Sequence, residues 1–221
     1  MADKIIRIGG ACAGWGDGSL AVPQLVSSGQ VDYLVFDYLA EFFMPVYGRM
    51  RAQNPALGYA FDFADTLIAP SVADIARQGI KLVTNAGAVN PTACAAAFAR
   101  MAERAGVKLK VAVVAGDDLI DRTDALRGYR EMFTGAAWPD KTLTSVNTYF
   151  GAAPIAAALA KGADVVITGR VVDSALVLGP LMHEFGWTLD DYDRLAAGRI
   201  VGHLLECGAP VTEIGRASCR E

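Results

Sequence analysis

At 221 residues, 53% hydrophobic and 20% charged, the chain is long enough to bury one large core or two small ones. Its formal charge of −4, with no block of Lys or Arg, leaves no electrostatic footprint for nucleic acid or an anionic membrane surface. No apolar stretch approaches the roughly 18 uninterrupted residues of a membrane helix, and the opening MADKIIRIGG lacks the apolar segment of a signal peptide.

A small-molecule ligand and a cytoplasmic setting are therefore expected. Cys12, Cys94, Cys207 and Cys219 form no CxxC pair, so neither a disulfide framework nor a zinc site is expected. Cys12 and Cys94 read as small core or loop residues.

In chain order, KIIRIGG, DYLVFDYLAE, IKLVTNAGAVNP, LKVAVVAGDD, TSVNTYFG and ADVVITGRVVDS each read as a strand and its exit. Ala-rich stretches alternate with them, as parallel βαβ units require. The runs at 111–114 and 165–167 are apolar throughout, which fits strands covered on both faces. PTACAAAFARMAERAG reads as a helix with Pro91 in its first turn and Gly106 as its stop; APIAAALAKGA reads as a second, closed by Gly162. Between the second and third strands, GRMRAQNPALGYAFDFADTLIAP reads as an irregular excursion before a helix beginning near Ser71. It is either a lid or a loop whose aromatic rings tuck onto the sheet. The expected fold is one α/β unit over residues 1–212, a mainly parallel, doubly wound, Rossmann-like sheet with helices on both faces. Part of an α/β barrel is the alternative.

The last nine residues, EIGRASCRE, break the Ala/Val/Leu rhythm. The codons GAG ATC GGA AGA GCG TCG TGT AGG GAA would encode them and spell the start of a common sequencing adapter. Residues 213–221 are thus expected to be a non-native tail without packed structure, following an incomplete domain.

Parallel sheets bind ligands beyond the carboxyl ends of their strands, so the strand exits hold the candidate residues. Gly9, Gly10 and Asp17 follow the first strand, then Asp37 and Glu41 the second. Asn85, Gly87 and Asn90 follow the third. Asp117, Asn147, Arg170 and Asp173 belong to the later exits. In TNAGAVNP, Asn90 is placed as N-cap with Pro91 at the first helical position, which directs free N–H groups toward an anion or serves only as a capped turn. GGACAGWGDG lacks the G-x-G-x-x-G spacing, and a nucleotide-binding oxidoreductase would rest on that loop alone. Arg170 and Asp173 leave one strand together, as an anion clamp or a structural staple, with Asp173 able to cap a helix starting at Ser174. Asp117 and Asp118 fit an acidic helix start better than an ion site. His203 and Glu206, three apart in HLLECG, share a helix face as an acid/base pair or an incidental polar pair.

RIGGACAGWGDG, DYLVFDYLAE, VTNAGAVNP, VITGRVVDSALVLGP and HLLECGAPVT together resemble, in that order, the N-terminal domain of the acyclic terpene utilisation (AtuA) family, over residues 5 to 212. The chain departs from the family at Ala11 and Cys12, where a third glycine is usual, and at Asp37, where Glu is frequent. At Glu213 and Ile214 the family has a Gly-Gly turn, and its remaining part includes a small ferredoxin-like domain. The resemblance implies catabolism of citronellol, geraniol and related branched acids as coenzyme A thioesters, beside a biotin-dependent acyl-CoA carboxylase. Joined to the strand-exit polarity, it leads to an expected acyl-CoA hydratase or lyase with Asp37, Glu41 and His203 as acid/base candidates. The other site residues bind ligand, and no metal or further cofactor is required. A non-catalytic acyl-CoA-binding or carboxylase-associated subunit is the alternative.

Overall fold

The computed structural model describes residues 4–14 and 18–208. Asp17 and the tail at 213–221 lie outside the described residues.

Among the described residues, five parallel strands form one sheet in the order β1-β2-β3-β5-β4. They are β1 (Ile8–Cys12), β2 (Tyr33–Phe36), β3 (Lys81–Thr84), β4 (Val111–Val114) and β5 (Val165–Thr168). Three helices follow the first two strands: α1 (Ala21–Ser28), α2 (Met44–Gln53) and α3 (Val72–Gln78). Next come α4 (Pro91–Arg104), the short α5 (Thr123–Leu126), α6 (Ala153–Ala160), α7 (Ala175–Phe185) and α8 (Tyr192–Glu206).

The strand order fixes which helix covers which face. From β1 to β4 the chain advances across the sheet in one direction, and right-handed crossovers place α1, α3 and α4 on the same side. The step from β4 back to β5 reverses direction, so α6 crosses on the other side, and α7 and α8 follow it there. The side chains obey the two-residue pleat. Leu34, Phe36, Leu82, Val165 and Ile167 pack with α1, α3 and α4. Tyr33, Val35, Val83 and Val166 pack with α6 and α7. This is the doubly wound α/β arrangement expected from the apolar strands.

The excursion between β2 and β3 is more ordered than its composition indicates. Residues 48–53 belong to α2, and a π-helical turn at Phe63–Ile68 leads to α3, which starts one residue after Ser71. Phe63 is fully buried, edge-on to Phe36 at 5.3 Å and to Tyr38 at 6.1 Å, and stacked on Phe98 at 5.9 Å. The excursion thus tucks Tyr59 and Phe63 into the core, while Phe61 stays exposed. The segment 144–151 is no strand, contrary to its β-branched composition. It forms only the isolated bridges Asp118–Asn147 and Phe150–Val171, because Asn147 is drawn aside to the Asp117 carboxylate.

Candidate functional site

The chain leaves β3 for α4 on one face and leaves β5 for α7 on the other. A crevice beyond the strand ends is therefore defined between β3 and β5, the place where such sheets bind ligands. Two loops without side-chain bulk make it narrow. A Cβ on Gly87 would sit 2.4 Å from the Thr168 carbonyl oxygen, and one on Gly169 would sit 2.2 Å from Asp117 Oδ1.

Asp37 and Asn85 meet at this edge. Asn85 is fully buried, its Oδ1 accepts the Tyr38 N–H at 2.7 Å, and its Nδ2 donates to Asp37 Oδ1 at 2.6 Å. Arg170, 2% exposed, donates through Nη1 to the Leu39 carbonyl at 2.8 Å and through Nη2 to the Tyr149 hydroxyl at 3.1 Å and Glu41 Oε1 at 3.3 Å. Its guanidinium also lies 4.3 Å from the centre of the Tyr149 ring, a cation–π contact. Asp173 Oδ1 faces Arg170 Nη1 at 2.9 Å as an ion pair, off the line of a hydrogen bond. Asp173 caps nothing through its side chain. The helix begins at Ala175, and the carboxylate turns to Arg170 instead.

The third carboxylate arrives from α8. Two glycines allow that helix to press close: a Cβ on Gly202 would meet the Ser174 carbonyl oxygen at 2.6 Å, and one on Gly10 would meet the Leu205 carbonyl oxygen at 2.3 Å. Glu206 is thereby buried beneath Asp173, with its Oε1 2.9 Å from Nδ1 of the exposed His203. Oxygen atoms of Asp37, Asp173 and Glu206 all lie within 4.8 Å of one another.

Three carboxylates and one permanent cation give this cluster an excess of negative charge. Burial pushes the Asp37 carboxyl up to about 6, with the Asp173 charge adding to the rise and the Asn85 and Leu39 donors and Arg170 opposing it. Burial likewise raises Asp173, against the pull of Arg170, and raises Glu206, with the Asp173 charge as the next cause. Among the described residues, Arg170 Nε and Glu206 Oε2 have no hydrogen-bond partner. The three carboxylates are the group that could embrace a cation. Arg170 supplies positive charge at Asp173.

The other candidate residues are placed differently. Asn90 caps α4 with its Oδ1, 3.4 Å from the Ala93 nitrogen, while its Nδ2 donates to the carbonyls of Pro55 and Leu57 at 2.9 and 2.8 Å. Asn90 thereby ties the start of α4 to residues 55–57. Gly9 packs on Leu25 and Leu34. Asp117 receives the Arg170 N–H at 2.7 Å and the Asn147 amide at 2.8 Å, and burial still raises its carboxyl. Asp118 pairs with Arg51 and accepts the Ile120 N–H just ahead of a 3₁₀ turn at Ile120–Arg122 that runs directly into α5. Glu41, exposed, is held below the usual carboxylate range mainly by the Tyr149 hydroxyl. Tyr149 itself carried no sequence signal, since its role depends on a contact 21 residues away along the chain.

No curated protein and no solved structure matches the chain. A family model described as acyclic terpene utilisation family protein AtuA matches residues 6–217, nearly the whole sequence. The chain belongs to the acyclic terpene utilisation (AtuA) family.

Proposed function

We propose that this chain forms the α/β portion of a cytoplasmic enzyme acting on coenzyme A thioesters of branched, acyclic terpenoid acids, as a hydratase or lyase. The carrying observation is the gathering of Asp37, Asp173 and Glu206 beside Arg170 at the switch point of the sheet. Membership of a family named for acyclic terpene utilisation supports the substrate class.

Hydration of an α,β-unsaturated thioester requires a base that takes a proton from water while its oxygen bonds to Cβ. It also requires an acid that delivers a proton to Cα. A carboxyl poised at about 6 populates both forms near neutrality, which suits either step. Asp37 is assigned the proton transfer; burial holds it poised, with the Asp173 charge adding to the rise. His203 relays a proton between Glu206 and solvent, since its ring is exposed on one side and 2.9 Å from that carboxylate on the other. Glu41 is assigned a place at the rim with Tyr149, where it orients Arg170. The chemistry calls on no metal or redox cofactor, and the product of hydration or its reverse suits exchange with an acyl-CoA carboxylase.

The test is incubation with an unsaturated, branched acyl-CoA followed by mass spectrometry. The expected result is gain of one water, abolished in Asp37→Asn. Tight binding with neither mass change nor isomerisation would instead identify a non-catalytic acyl-CoA-binding subunit.

A further inference from the structure

We infer that the groove between α8 and the β5–α7 connection seats the acyl chain of the substrate, an inference that rests on the acyl-CoA reading above. The groove encloses about 580 Å³, within the range of small-molecule sites. Its polar end is Asp173 and Glu206, two of the three clustered carboxylates, so it opens directly onto the proposed chemistry. Val172, Ala196, Ile200 and Leu204 give it an apolar wall, with Ser174, Arg199 and His203 beside them. Ile200 and Leu204 on α8 are 64% and 55% exposed, although a solvent-facing helix ordinarily carries polar residues at such positions, and Val172 in the β5–α7 connection is 38% exposed.

The placement on α8 is specific. Gly198 and Gly202 turn one side of the helix into α7 and Ser174, which leaves Ile200 and Leu204, one turn apart, beside the groove. An occupant with an apolar chain and a reactive carbonyl matches the apolar residues and the carboxylate end. A chain seated between Ile200 and Leu204 brings its thioester carbonyl toward Asp173 and Glu206.

The experiment is calorimetric titration of the chain with coenzyme A, acetyl-CoA and octanoyl-CoA, saturated thioesters that hydration cannot consume. Each fully buried methylene strengthens binding by about fourfold, so an open groove predicts octanoyl-CoA at least about tenfold tighter than acetyl-CoA. In Ile200→Trp, where the indole fills the groove, that preference falls to less than about twofold while affinity for coenzyme A is kept. Leu204→Trp, also at an exposed position, serves as the second variant if the first does not fold. Equal affinity for both thioesters in the wild type, or an undiminished preference in a folded Trp variant, overturns the groove assignment and leaves the acyl-CoA reading standing. Self-association that octanoyl-CoA does not relieve also overturns it, because a second copy then occupies the surface. Absence of binding by all three ligands overturns the acyl-CoA reading itself.

Discussion

The exits of β3 and β5 look alike as sequence, each a glycine among amides or charges, yet the fold uses them in opposite ways. At the β3 exit the polar groups are matched within the chain. Asn85 holds Tyr38 and Asp37, Asn90 holds Ala93, Pro55 and Leu57, and Arg51 donates to the Val89 carbonyl at 2.5 Å. At the β5 exit a guanidinium nitrogen and a carboxylate oxygen are buried without hydrogen-bond partners, and acid outnumbers base. Proteins pair nearly all buried polar groups, so an unmatched cluster marks a place kept for something other than stability. The difference teaches that polarity at a strand end is not itself a site. Unmet polarity is.

The sharpest break of this contrast is Gly87→Ala. The added methyl would meet the Thr168 carbonyl oxygen at 2.4 Å and Pro91 at 2.6 Å, so the β3 exit must move off β5. Urea unfolding should show a loss of about 3 kcal/mol, the upper part of the usual overpacking range. A loss under about 0.5 kcal/mol, typical of a surface change, would mean the two exits are not pressed together.

Asp37→Asn should act in the other direction. The folded-state carboxyl lies above its ordinary value, so its contribution to stability is fully present below about pH 4 and is lost as pH rises through about 6. At pH 7 the ionised group therefore costs stability, and the amide removes that cost while keeping an oxygen for Asn85. The variant is expected to gain about 2 kcal/mol at pH 7 and to show a shallower decline between pH 4 and 6, since the raised Asp173, Glu206 and Asp117 carboxyls remain, read from urea midpoints across that range. A variant less stable than wild type at pH 7 breaks the prediction.

Asn90→Ala removes the α4 cap and two donors to the 55–57 segment. It should cost about 1–2 kcal/mol in the same unfolding assay, with affinity for acyl-CoA unchanged. A selective loss of affinity would return Asn90 to the site. The smallest effect is expected for Glu41→Gln, whose carboxylate is 79% exposed although it touches Tyr149 and Arg170. Its stability should change by less than about 1 kcal/mol, as for other exposed ion pairs.

These contrasts also mark where the sequence is legible. The strands announced themselves because parallel strands buried on both faces read as unbroken apolar runs, such as Val165, Val166 and Ile167. Asp37, Arg170 and Asp173 were found because strand exits share an edge. The convergence of Glu206 on them was not readable, since it depends on α8 closing onto Gly10 and Ser174 through Gly202, a tertiary fit with no local period. Nor was the engagement of Asn90, whose partners are main-chain carbonyls 33 and 35 residues earlier. TSVNTYFG misled because Asn147 and Tyr149 spend their polar groups on Asp117 and Arg170 rather than aligning in the sheet.

The central claim is that the crowded edge holds a carboxyl group able to exchange a proton near neutrality. A carbon-13 NMR titration of the chain labelled at aspartate carboxyls tests it without reference to any substrate. The account predicts one aspartate signal with a midpoint at about 6, absent from Asp37→Asn. Every aspartate titrating at or below about 4, as unperturbed carboxylates do, would contradict it.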